Sequence, residues 1–337
     1  MANRRSRRTP YSSDLDPLTR LWLLRILVPL GGQREFLTSH GFTDDALAEK
    51  LGLGHWIDPF PQDFDLQAVQ SELRSLHAMA EQHREKVCVP ALLKANVKKL
   101  AELVDLGATD CSLLEFAVLL HSERILDDAA DWLGPLSSVK TFHALSVILD
   151  LAESEVRRSL APDGALARAG LLSVDRNGSS LLRGKLDLLS GDFADLMTSS
   201  PTNPIGLLRG TVAAAGPAHL ELTDYRHIED SLKILHPYLR HALASKRRGV
   251  NVFLHGAPGT GKSQLARVLA KALDCELFEV AGEDSDGDPV DGERRLRAFR
   301  AAQSFFAQRR ALIAFDEVED VVRSRTIALI RDVVHYS

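Results

Sequence analysis

Gly256-Ala257-Pro258-Gly259-Thr260-Gly261-Lys262-Ser263 is the stretch whose reading decides the fold of this chain. It follows the spacing G-x-x-x-x-G-K-S, that of a phosphate-binding loop. The flanks agree with that reading. Val250-Asn251-Val252-Phe253-Leu254-His255 reads as a strand feeding the turn, and residues 264–273, from Gln264 to Leu273, read as the helix leaving it. A turn into a helix N-terminus aims several backbone N–H groups, and the positive end of the helix dipole, at one point where phosphate can sit. Gly256, Gly259 and Gly261 let the backbone curl around the anion, and Ala257, Pro258, Thr260 and Gln264 complete the cradle. Lys262 is placed to reach the β- and γ-phosphates of a nucleotide, and the Ser263 hydroxyl to ligate Mg²⁺.

Downstream, residues 276–280 read as a second strand, 282–288 as an acidic loop and 292–309 as a long helix with Leu296, Phe299, Phe305 and Phe306 on its inner side. Ala311-Leu312-Ile313-Ala314-Phe315 then reads as a buried strand ending in Asp316-Glu317. Phosphoryl transfer to water needs one acid near the metal and another beside the attacking water. Asp316 is the candidate for the metal and Glu317 for the general base. Strands alternating with helices bring both motifs to the carboxyl edge of one sheet, where open α/β sheets bind ligands.

Upstream, Pro201, Pro204, Gly206, Gly210, Gly216 and Pro217 make the clearest composition shift in the chain, so 200–218 is read as a linker and 219–337 as the nucleotide module. Residues 109–199 read as short helices followed by apolar segments 171–175 and 180–186 around Arg176-Asn177-Gly178-Ser179, and Asn-Gly between apolar strands is a strong hairpin signal. Helices leading into a hairpin resemble a winged helix. Such a domain can read DNA, here through Arg157, Arg158, Arg168, Arg176, Arg183 and Lys185, or it can serve as a docking module. The interleaved acids Glu153, Glu155, Asp163, Asp175 and Asp187 blunt the field a duplex needs and favour docking. Residues 16–108 read as all-α: Asp16-Pro17 starts a helix, Thr43-Asp44-Asp45 caps a second that stops at Gly52, residues 66–86 form a third and Pro90 opens the next. Residues 1–15 form a basic tail carrying Arg4, Arg5, Arg7 and Arg8.

With 45% hydrophobic and 26% charged residues over 337 positions, the chain has an ordinary globular composition and room for two or three domains. A net charge of -5 gives no global case for nucleic acid. Cys88, Cys111 and Cys275 have no metal-ligand spacing, and no apolar run reaches the length of a membrane span, so a cytoplasmic protein is expected.

Taken together, Gly256 to Ser263 with Phe315-Asp316-Glu317 resemble the Walker A and Walker B pair of the AAA+ ATPases. That resemblance implies a multidomain chain: an all-α N-terminal region, a winged-helix-like middle domain and a C-terminal α/β P-loop core. It implies ATP and Mg²⁺ as ligands, catalysis through Lys262 and Glu317, and a homo-oligomeric ring, commonly a hexamer, that remodels a protein partner. Asp224-Tyr225 and the helix after it resemble the family's N-terminal linker, whose backbone, Tyr225 to Ile228 here, borders the adenine. Two departures stand out. Many threading members carry an aromatic before the long helix, where this chain has Pro289-Val290-Asp291-Gly292. The family's sensor, arginine finger and helical lid have no positions before Ser337, so the core reads as incomplete and the chain as a piece of a longer protein.

Overall fold

The computed structural model describes residues 15–57, 64–201, 203–247, 249–257, 259–283 and 287–316. Helix α1 (Pro17–Leu27) starts as its sequence dictates: the Asp16 carboxylate accepts from the Leu18 and Thr19 N–H groups, and Pro17 supplies the first turn. After α2 (Gln33–Phe36), helix α3 (Asp45–Leu51) is capped by Asp44 and stopped by a left-handed Gly52. Helices α4 (Leu66–Gln82), α5 (Ala91–Val104), α6 (Ala108–Ser122), α7 (Arg124–Asp131), α8 (Ser138–Leu149), α9 (Glu153–Ser159) and α10 (Ala165–Arg168) follow. Where α1 and α4 pack, Arg25 is buried, with its guanidinium held by both carboxylate oxygens of Glu81 at 2.6 and 2.9 Å and by the Ile148 carbonyl at 2.7 Å. That pairing holds the Glu81 carboxyl below its usual range.

A two-stranded sheet follows, of β1 (Leu172–Val174) and β2 (Leu186–Leu188), with α11 (Leu182–Lys185) between them. The hairpin turns at a left-handed Gly178, but its second strand begins at Leu186, not at Ser180 as the pattern implies. Lys185 explains the difference. Its side chain is fully buried and its ammonium donates to the carbonyls of Asp175 (2.9 Å), Asn177 (3.2 Å) and Gly178 (3.0 Å), so the turn folds back over it.

The remaining elements are α12 (Phe193–Ser199), β3 (Val212–Ala214), α13 (Glu229–Ala244), α14 (Lys262–Ala272), β4 (Glu276–Val280), α15 (Gly292–Phe305) and β5 (Ala311–Ala314). The second sheet has the order β3-β4-β5: β5 runs parallel to β4, and β3 pairs antiparallel on its other side. Part of the segment read as a linker is therefore built into the sheet. The strand expected at 250–255 is not one: among the described residues this stretch makes no ladder bonds, and Phe253 is 73% exposed. Its Val250 and Leu254 still pack against the cluster of Tyr225, Leu232, Leu239, Leu265, Val268, Leu269 and Leu273 that joins α13 to α14. An apolar run is a strand only where a neighbour takes its hydrogen bonds.

The inner face of α15 also differs from expectation. Arg295, Arg297, Ala298, Ala301, Ala302 and Phe305 are its buried residues, whereas Leu296 and Phe299 are half-buried. Small side chains let other backbone come close. At Gly170 (φ +67°), a Cβ would lie 2.3 Å from the Arg297 carbonyl oxygen, so only glycine fits against this helix. By packing, the chain divides into two compact units: Met1–Lys94 with Glu115–Val156 and Val174–Leu186, and Ala95–Leu114 with Arg157–Ser173 and Asp187–Ser337. The units interleave along the sequence rather than following one another.

Candidate nucleotide site

The loop after Leu254 turns into α14 through glycines with positive φ, +77° at Gly259 and +82° at Gly261, the latter serving as the N-cap of the helix. Among the described residues no side chain caps this N-terminus, which leaves its first N–H groups for an anion. Lys262, the first helical residue, folds its ammonium back onto the carbonyls of Gly256 and Ala257, both at 3.0 Å, and the Thr260 hydroxyl ties down Ala257 at 2.8 Å. The loop is exposed along nearly all its described length, as access by a phosphate requires.

The second half of the site arrives from the end of β5. Asp316 accepts a 2.8 Å hydrogen bond from the Ser263 hydroxyl through its Oδ2. A hydroxyl and a carboxylate in contact, one residue past a phosphate-loop lysine, form the hard oxygen donor set that suits Mg²⁺ and would hold it beside the phosphates. The chain's own groups therefore fit Mg²⁺ and a nucleotide.

Tyr225 and Gln264 are brought to the same place. The Tyr225 hydroxyl donates to the Gly261 carbonyl at 2.9 Å, and its buried ring backs the last turn of the loop. Burial pushes the Tyr225 phenol up from its ordinary value, and the neighbouring Asp224 carboxylate adds to this. Gln264 accepts from the His219 N–H at 3.0 Å, and Ile228 is half-buried against the cluster that contains Tyr225. Pro258 and Glu317 lie outside the described residues. One residue that the sequence reading passed over belongs here: Arg295 of α15, buried, donates to the carbonyl of Asp316 and lies over the Phe315 ring, 4.7 Å from its centroid. An arginine at an interior helical position was the available signal.

The sequence model for the ATPase family associated with various cellular activities (AAA) matches residues 252–333. This stretch carries the sequence pattern of an AAA ATPase domain. The relatives agree. ATPase family gene 2 protein homolog B of Bos taurus is 29% identical over 168 residues, covering 48% of this chain and 21% of its own length. The Homo sapiens protein of the same name is 28% identical over 166 residues, with the same coverage of both chains. The 26S proteasome regulatory subunit 8 homolog of Schizosaccharomyces pombe is 30% identical over 96 residues, 28% of this chain and 23% of that protein. The chain thus spans about a fifth of the length of the curated relatives it matches. No solved structure matches it significantly.

Of the basic residues considered for a duplex, Lys185 is corrected. It is fully buried, with its ammonium on carbonyls of its own hairpin. Arg183 pairs with Asp127 at 2.6 Å, and the Arg176 guanidinium lies 5.9 Å from the centroid of the Phe142 ring. Among the described residues, no helix is long and apolar enough to cross a membrane.

Proposed function

We propose that this chain binds Mg-ATP at the Gly256–Ser263 loop and belongs to a protein that hydrolyses it to remodel a macromolecular partner. The observation that carries the reading is the hydrogen bond from Ser263 to Asp316, residues far apart in sequence whose oxygens meet where a nucleotide's metal would sit. The exposed helix N-terminus and the Lys262 ammonium supply positive charge to the phosphates. Ser263 and Asp316 would hold Mg²⁺, which would supply further charge neutralisation to the phosphates. Glu317, next after Asp316 in sequence, is assigned the proton of the attacking water. Assembly into a ring, with a neighbouring subunit completing the site, is part of the same reading. One relative's name, that of a regulatory subunit of the 26S proteasome, supports assembly. The all-α N-terminal part, with the winged-helix-like segment at 109–199, is assigned to partner docking in a cytoplasmic setting.

The test is titration of a fluorescent ATP analogue. The unaltered chain should bind it more tightly with Mg²⁺ than with EDTA. Lys262→Ala should lose at least tenfold in affinity, as expected when one charge-assisted contact of about 1.5–3 kcal/mol is removed. Glu317→Gln should keep binding and stop turnover. Undiminished binding by Lys262→Ala would refute the assignment of the loop.

A further inference from the structure

Two buried arginines stand two residues apart on α15 and, at 3.6 residues per turn, leave it on nearly opposite sides. Arg297 donates to the Leu188 carbonyl at 2.8 Å and to the Asp187 carboxylate at 3.2 Å, on the side where Gly170 abuts the helix. Arg295 reaches the other way, to the carbonyl of Asp316 and the face of Phe315. Phe299, one turn further along, meets the same ring edge-on at 5.7 Å between centroids.

The ladder between β4 and β5 ends at the pair Glu279 and Ala314. Phe315 and Asp316 therefore lie beyond that ladder, outside the strand Ala311–Ala314. Arg295 grips both residues. A buried guanidinium is costly to desolvate, and a packing role alone would be met by an aliphatic side chain of similar volume. What arginine adds is a planar fork of donors that can stack on an aromatic ring while bonding a carbonyl. It is delivered from a helix anchored on its far side, so its position is set before any ligand arrives.

We propose that Arg295 is a positioning residue for the metal side of the site. By holding the peptide that carries Asp316, it keeps this carboxylate in register with the Ser263 hydroxyl, and so sets the affinity for the Mg²⁺ of a bound nucleotide. The inference rests on the Mg-nucleotide reading above. Residues that orient a metal ligand typically change metal affinity by about 10–100-fold when removed.

The experiment titrates Mg²⁺ into the chain preloaded with a fluorescent ATP analogue, alongside analogue binding in EDTA. Arg295→Met, which keeps bulk and apolar contact, should raise the Mg²⁺ midpoint about tenfold or more while leaving binding in EDTA within about twofold. Arg295→Lys, which keeps one charged donor, should fall between. Phe315→Leu leaves the donor and removes only the ring, so it reads the same effect in smaller measure if Arg295→Met does not fold. An unmoved midpoint in a folded Arg295→Met or Phe315→Leu overturns the proposal. So does an equal loss of affinity with and without Mg²⁺, which marks a purely structural role. If the unaltered chain binds the analogue equally well in EDTA and Mg²⁺, the Mg²⁺ reading itself is overturned, and the role of Arg295 with it.

Discussion

Gly261→Ala probes the loop through its backbone. Gly261 has φ +82°, and the left-handed region costs an alanine roughly 1–2 kcal/mol. A Cβ there would lie 3.2 Å from the Tyr225 hydroxyl oxygen, tighter than an ordinary contact, so the hydroxyl must give way and its 2.9 Å bond to the Gly261 carbonyl is lost or bent. A partly buried hydrogen bond contributes about 1 kcal/mol net. The sum is about 2–3 kcal/mol, which in a domain of roughly 150–250 residues lowers Tm by about 5–10 °C. Calorimetry should follow the unfolding transition that Mg-ATP raises. Tyr225→Phe removes the hydroxyl and the close contact together and should cost about 1 kcal/mol alone. The double variant Gly261→Ala with Tyr225→Phe should then cost little more than Gly261→Ala, because the bond is lost only once, leaving a coupling of about 1 kcal/mol. Strict additivity would refute the argument from the hydroxyl, and a neutral Gly261→Ala would refute the whole of it.

Elsewhere, Lys185→Met keeps the volume but removes the donor shared by the Asp175, Asn177 and Gly178 carbonyls, and should cost about 2–4 kcal/mol; amide exchange in the hairpin should accelerate, and an unchanged rate would contradict the staple. Burial pushes the Glu115 carboxyl from 4.5 up to about 7, against the opposing pull of Lys94. The folded chain therefore keeps a proton there that the unfolded chain releases, so stability is full below about pH 4.5, falls as pH rises toward 7 and stays reduced above it. Glu115→Gln cannot ionise and should be more stable than the unaltered chain by about 1–2 kcal/mol at pH 8, discounted for partial exposure, with no such gain near pH 4.5; thermal unfolding at the two pH values decides it.

What was legible in the sequence was local. The Asp16 cap with Pro17, a cap within Thr43-Asp44-Asp45 with its Gly52 stop, the Asn177-Gly178 turn and the glycine turn into α14 depend on neighbours within a few residues, and each forms among the described residues. Strand membership was less legible. Residues 250–255 have the apolar run of a strand but make no ladder bonds among the described residues. Val212–Ala214, small residues among glycines, join the sheet because Phe278–Val280 offer them unpaired backbone.

By itself the sequence determined that a G-x-x-x-x-G-K-S turn and an apolar run followed by Asp316-Glu317 share this chain, because residue spacing and the position of a carboxylate are chemical facts independent of folding. Only the tertiary structure decided that Ser263 meets Asp316 and that Tyr225 backs Gly261. It also turned Arg295, on a helix read as apolar inside, toward the peptide of Asp316. The reason is that a hydrogen bond between distant residues depends on the packing of everything between them, and no local pattern encodes that sum.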